Sequence, residues 1–245
     1  MEKRANAEEE STASPPISAA ELRALADEAD ARLSEADAAD IVSWAHHTFG
    51  PRLVVASSMA DTHLVHLAQA VAPGVAVLFL DTGYHFAETV GTRDAVAQAY
   101  RVDLLSLTPR QTVAEQDAAH GPRLYERDPD LCCSLRKVEP LERGLLPYTA
   151  WITGMRRADS PGRARLRVVA HDAARGMVKI SPLARWTEDD VQSYTARHGV
   201  LTHPLLSEGY TSIGCQPCTR RPLPGAGARS GRWAGRAKTE CGLHP

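Results

Sequence analysis

Aromatic residues are scarce in this sequence: 5% of its 245 residues are Phe, Trp or Tyr, so the core must be built mainly from Leu, Val and Ala. No stretch approaches about 18 consecutive apolar residues, so no membrane-spanning helix and no membrane partner is expected. The first residues lack the apolar segment of a secretory signal, and a cytoplasmic protein is the expectation. Charge is nearly balanced, at a formal net -2. That excludes a nucleic-acid partner held by bulk electrostatics. No internal repeat is visible.

What is present is enough apolar residue, 43%, to bury one core. Residues 1–17 mix Glu, Ser, Ala and a Pro-Pro pair and read as a flexible tail. Residues 18–210 read as one α/β domain, and 211–245 as a mostly irregular C-terminal arm. Two Ala-rich helices are predicted, about Ala19–Ser34 and Ala36–Thr48. Apolar runs at Leu53–Ala56, Val75–Leu80 and Leu104–Leu107 then alternate with helical patterns, one carrying Leu64, Leu67, Ala68 and Val71 and one running to about Tyr100. Such alternation predicts a parallel sheet covered on both faces. Ala150–Thr153 and Val178–Ile180 are further strand candidates. Thr187 and Asp190 form a capping-box pattern at the start of another helix, with Trp186 and Val191 placed as a hydrophobic staple.

Ligands of such sheets bind beyond the carboxyl ends of the strands. Two of those ends are polar here, Ser57-Ser58-Met59-Ala60-Asp61-Thr62 and Asp81-Thr82-Gly83. The first offers hydroxyls and helix amides to an anion, or is simply an N-cap and a turn. It lacks the glycines that let a backbone wrap a pyrophosphate, which favours a smaller anion over ATP.

Five cysteines are present. In a cytosolic chain such clusters point to metal or redox chemistry rather than structural disulfides. Cys132-Cys133 and Cys215-x-x-Cys218 supply four thiols from two remote segments, suited to zinc or an iron–sulfur cluster. An adjacent pair serves one tetrahedral ion poorly, which favours a cluster; four unligated thiols are the remaining reading. Cys241 has no partner. It is an incidental thiol on the tail or, with Lys238 and His244 nearby, a nucleophile whose thiolate is favoured by cations. The arm carries only basic charge between Arg220 and Lys238. Arg156, Arg157, Arg163, Arg229 and Arg232 are candidates to clamp an anion bidentately, and Lys137 lies four residues beyond Cys133. His63, His66 and His203 read as packing or surface residues.

Together these motifs resemble the assimilatory adenylyl-sulfate (APS) reductases, the iron–sulfur branch of the APS/PAPS reductase family. The resemblance runs from about Leu53 to His244 through Leu78-Phe79-Leu80-Asp81-Thr82-Gly83-Tyr84, Cys132-Cys133-Ser134-Leu135-Arg136-Lys137 and Trp151-Ile152-Thr153-Gly154. It continues through Pro182–Thr187, Ser212–Thr219, Ser230–Trp233 and Lys238-Thr239-Glu240-Cys241-Gly242-Leu243-His244. The Ser57-Ser58-Met59 loop looks like that of actinobacterial members. The resemblance implies an adenine nucleotide α-hydrolase-like fold, making 18–210 a nucleotide-binding domain. It implies a [4Fe–4S] cluster on Cys132, Cys133, Cys215 and Cys218, and Cys241 as the nucleophile that takes sulfonate from APS. Thioredoxin, or a glutaredoxin-like reductant, then releases sulfite. On this reading Ser57, Ser58, Asp61 and Asp81 line the substrate, Leu80 and Gly154 meet adenine and ribose, and Lys137, Arg163, Arg229 and Arg232 face the phosphosulfate. A PAPS reductase, an ATP pyrophosphatase and a zinc-binding module are the competing readings. The sequence sets no oligomeric state, and a homo-oligomer is compatible with it.

Overall fold

The computed structural model describes residues 17–244, so the tail expected over 1–17 lies outside the described residues except for Ile17. Two helices come first, α1 (Ala19–Leu33) and α2 (Ala38–Phe49). Ser18 and Glu21 close a capping box on α1, which satisfies amides the helix itself leaves unpaired. Leu22, Ala26, Ala29 and Leu33 recur at helical spacing on its buried face.

The predicted alternation follows: β1 (Leu53–Ser57), α3 (His63–Val71), β2 (Val75–Leu80), α4 (Ala87–Ala99) and β3 (Val102–Leu107). Val54, Val55 and Val77 are fully buried, as a sheet covered on both faces requires. β3 starts two residues before the apolar run, because Val102 and Asp103 pair with Val75 and Ala76. The chain then recrosses the sheet through α5 (Val113–His120), α6 (Leu124–Arg127), α7 (Pro129–Cys133), a π-turn over Ser134–Val138 and α8 (Glu139–Leu145). β4 (Ala150–Thr153), β5 (Val169–Asp172) and β6 (Met177–Ile180) complete the sheet. α9 (Glu188–His198) begins at the predicted capping box, with Thr187 Oγ1 accepting from the Asp190 amide at 3.2 Å. A single turn, α10 (Pro204–Ser207), precedes the arm.

The strand order is β3-β2-β1-β4-β6-β5. Every neighbouring pair is parallel except β5 with β6. That antiparallel edge departs from the sequence reading. Only residues 173–176 join the two strands, with Gly176 at φ 64°, and so short a link makes a hairpin rather than a parallel crossover.

From β1 the chain builds outward to β2 and β3, then returns to place β4 on the other side of β1. A crevice forms at strand carboxyl ends where order reverses in this way. Ser57 ends β1 and Gly154 follows β4, so both stand at that crevice. One face of the sheet packs Ile41, Val55, Phe79 and Ile152 into the larger core. The other packs Val54, Leu78, Trp151, Leu141 and Leu145 into a smaller one, which Leu243 of the arm also joins.

Candidate functional site

Cys132, Cys133, Cys215 and Cys218 line one cavity together with Arg136 and Lys137. Adjacent residues on a helix point about 100° apart, so Cys132 and Cys133 cannot aim at one point. Consistent with that, no three His, Cys, Asp or Glu side chains among the described residues converge as ligands of a single ion would. The arm reaches the cavity because the Gln216 amide donates to the Tyr84 carbonyl at 2.7 Å, while Thr82 Oγ1 lies 3.4 Å from Cys215 Sγ. Burial, then the neighbouring sulfurs, pushes the Cys132 thiol up to about 12, and burial does the same to Cys133, to about 11. Burial opposes ionisation of Cys215 too, yet Lys137 and the Thr82 hydroxyl outweigh it and hold that thiol below its ordinary value. Burial likewise works against the Lys137 ammonium, but the Cys215 and Cys241 sulfurs leave its pKa raised.

Two residues that spacing did not single out hold this region. Arg136 is buried; its Nε donates to the Thr82 carbonyl and its Nη1 to Gln116 Oε1 at 3.1 Å. Gly83, at φ 71°, is required beneath it, because a Cβ there would lie 2.9 Å from the guanidinium. His85 Nε2 donates to the Leu80 carbonyl at 2.8 Å. The carbonyl expected to face a nucleotide therefore already has one partner.

Cys241 is half-buried in the wall of a second cavity with Asp130, Ser134, Val138, Lys238 and Glu240. It stands close enough to Lys137 and Cys133 for its charge to act on both. Lys238, in the same wall, is ion-paired to Asp130 and set over the Trp233 ring. Arg163 and Arg229 meet at Glu240 Oε2, each at 3.0 Å, and Arg163 also binds Asp159 at 2.8 Å. Burial lowers the pKa of Arg229. Arg232 stacks on Trp233, 4.6 Å from the ring centre, and fills the space over Gly214, where a Cβ would lie 2.2 Å from its Nη2. Arg156 and Arg157 are occupied elsewhere: the first pairs with Asp159 at 3.0 Å, and the second donates to the Leu166 carbonyl at 2.9 Å.

At the crevice, Ser57 and Ser58 turn their oxygens back on their own loop and accept from the Met59 and Ala60 amides at 3.2 and 3.4 Å. Met59 adopts φ 57° and is fully buried. It supplies the left-handed turn for which a glycine would be the usual residue. Asp61 is exposed beside His63 at 3.5 Å, and Asp81 caps Gly83 at 3.1 Å. A Cβ built on Gly154 would sit in ordinary van der Waals contact with Leu64, at 3.8 Å. The histidines left unassigned are hydrogen-bonded packing residues: His63 to Thr195 at 2.6 Å, His66 to Tyr194 at 2.9 Å and His203 to Thr89 at 2.9 Å.

The tail ends on β4. His244 stacks on Trp151, and Arg175 and Lys179 each lie 5.4 Å from the centre of the same indole. Burial pushes the Lys179 ammonium down to about 8.

The phosphoadenosine phosphosulfate reductase domain family matches residues 52–221. The adenosine 5′-phosphosulfate reductase of Streptomyces coelicolor is 61% identical over 224 residues, covering 91% of this chain and 95% of that protein. That of Mycolicibacterium smegmatis is 55% identical with the same coverage. Among solved structures, the phosphoadenylyl-sulfate (PAPS) reductase of Candida auris, a phosphate complex, is 31% identical with a TM-score of 0.71 over 80% of this chain and 96% of that one. An FMN adenylyltransferase of Candida glabrata shares the fold alone, at 14% identity and a TM-score of 0.55, over 86% of this chain and 67% of that one. The adenine nucleotide α-hydrolase-like fold expected from the motifs is the fold observed.

Proposed function

Since the chain belongs to the phosphoadenosine phosphosulfate reductase domain family, we propose that it is an APS reductase, converting adenosine 5′-phosphosulfate to sulfite and AMP in sulfate assimilation. The observation that carries this reading is the position of Cys241, half-buried and within the field of the half-buried Lys137 ammonium. A cation there offsets the repulsion between the attacking sulfur and an anionic sulfonate.

The Cys241 thiolate attacks the sulfur of APS. A sulfur–sulfur bond forms, and the bridging sulfur–oxygen bond breaks with its electron pair going to the phosphate oxygen of AMP. The enzyme then carries S-sulfocysteine. Thioredoxin, or a glutaredoxin-like dithiol, supplies two electrons: one thiolate attacks Cys241 Sγ, sulfite leaves with the bond pair, and the second thiol resolves the mixed disulfide. Arg163, Arg229 and Arg232 stabilise the leaving phosphate. Ser58 keeps its hydroxyl hydrogen for the phosphate end, and Ser57 offers its own by giving up a weak bond to Met59 Sδ at 3.7 Å, with Asp61 and Asp81 shaping the surroundings. Leu80, through its main chain, and Gly154, which has no side chain of its own, accommodate adenine and ribose.

Cys132, Cys133, Cys215 and Cys218 would hold a [4Fe–4S] cluster. The donor set suits it: four thiols around one cavity, two cations beside them and no carboxylate in the lining. Bound there, the cluster would supply a structural anchor and a local electrostatic field, since the thiols carry both electrons of the reaction. The residues of 211–245 then divide into an anchored base and an outer part that delivers Cys241 to the substrate and afterwards to the reductant.

The test is sulfite release from APS and from PAPS, with thioredoxin, by the wild type and Cys241→Ser. A strong preference for APS and an inactive, still brown variant are expected. Full turnover by Cys241→Ser would remove the mechanism, and a preference for PAPS would change the substrate.

A further inference from the structure

Glu240 immediately precedes Cys241, and its Oε2 accepts from Arg163 Nη2 and Arg229 Nη2, both at 3.0 Å. The two donors come from different parts of the chain. Arg163 lies in the 3-10 turn Pro161–Arg163 between β4 and β5, where Asp159 fixes its other nitrogen at 2.8 Å, and its side chain is 12% exposed. Arg229 lies in the arm, and its Nη2 also donates to the Thr239 carbonyl at 3.1 Å. One carboxylate oxygen therefore ties the tail to the arm and to the α/β core at once, one residue away from the half-buried thiol. Charge-assisted bonds of this kind are about twice as strong as neutral ones. On the far side of Cys241, Leu243 packs into the smaller core and His244 lies on Trp151. Cys241 is thus suspended between two attachments, one ionic and one apolar.

We propose that Glu240 is a positioning residue, which docks the tail on Arg163 and Arg229 and so sets the reach of Cys241 toward the reacting sulfur. The inference rests on the APS reductase reading and adds a division of labour to it: both arginines hold the tail as well as any anion. Glu240 does not touch the reacting atoms. Its loss lowers the rate at which Cys241 is sulfonated, while affinity for the nucleotide, which the crevice at β1 and β4 provides, stays as it was.

The experiment compares wild type with Glu240→Ala and Glu240→Gln in three measurements. These are single-turnover sulfonation of Cys241 by APS, equilibrium binding of AMP, and alkylation of Cys241 by a neutral reagent without substrate. Glu240→Ala is expected to slow sulfonation about ten- to a hundredfold, the range that loss of a charged hydrogen bond commands. AMP binding should stay within about twofold and alkylation should quicken, with Glu240→Gln between the two because it keeps an acceptor but no charge. Tighter AMP binding with undiminished sulfonation would overturn the proposal, since Glu240 would then be an internal anion competing with substrate. Unchanged sulfonation would overturn it as well. Failure of the wild type to bind AMP would instead remove the APS reductase reading, and this proposal with it.

Discussion

His244 lies almost flat on Trp151, with ring centroids 5.4 Å apart and planes 14° from parallel. The pair joins the end of the tail to the middle of the sheet, 93 positions back along the chain. Burial first, then Lys179, Arg163, Arg175 and Arg229, holds the His244 pKa well below its ordinary 6.5. Undocking restores the ordinary value, so the free tail binds a proton more readily than the docked one. Docking is therefore at full strength above about pH 6.5 and weakens as pH falls below it. Proteolytic cleavage of the tail, followed from about pH 8 down to pH 5, should accelerate in the wild type and stay flat in His244→Phe, which keeps a ring but cannot titrate. Matching profiles for the two proteins would sink this expectation.

Lys137→Ala removes the half-buried cation whose charge couples to the Cys215 and Cys241 sulfurs. A preorganised charge of this sort is worth about 10²- to 10³-fold in rate. We expect kcat/KM for APS to fall by that order, with the brown colour retained. Visible absorption and turnover measured on one preparation separate a catalytic loss from a collapse of the four-cysteine site.

Two glycines of the arm should respond differently to alanine. At Gly231 a Cβ would meet the Arg220 carbonyl oxygen at 2.0 Å, and that oxygen belongs to rigid backbone beside the Thr219–Arg232 bridge. At Gly214 it would meet only the mobile end of Arg232. Gly231→Ala is expected to cost about 1–3 kcal/mol, a drop of several degrees in Tm for a chain of this size. Gly214→Ala should leave Tm close to wild type while weakening turnover through a displaced Arg232. Thermal unfolding beside activity distinguishes them, and equal Tm losses would contradict the packing described.

Cys218→Ser should remove the broad visible absorption of an iron–sulfur centre and free the base of the arm. Faster proteolysis near residue 218 checks the anchor directly. A colourless wild type with stoichiometric zinc would replace the cluster with another metal.

The parallel strands were legible because a strand buried on both faces must be apolar along its length, as Leu53–Ala56 and Val75–Leu80 are. β5 was not: Val169-Ala170-His171-Asp172 is short and half polar, and its pairing is set by the turn that follows it. The four-cysteine cavity was legible because thiols are few and their pairs stand out. Spacing carried no signal for Arg136, whose carbonyl partner Thr82 lies 54 positions away, nor for Glu240, whose partner Arg163 lies 77 away. Such contacts are fixed only once the sheet has brought remote segments together. The hydroxyls of Ser57 and Ser58 were read from residue type alone. The structure adds that their oxygens first serve the turn around Met59.

The π-turn that follows Cys133 sits in the segment returning the chain from β3 across the sheet to β4. That segment therefore carries one half of the four-cysteine cavity and also closes the sheet's reversal of order. The other half arrives 82 residues later, at Cys215. Contacts of such long range form late, because a large loop must be closed first. On the cluster reading, loading therefore waits on folding: the four thiols line one cavity only after the sheet has aligned.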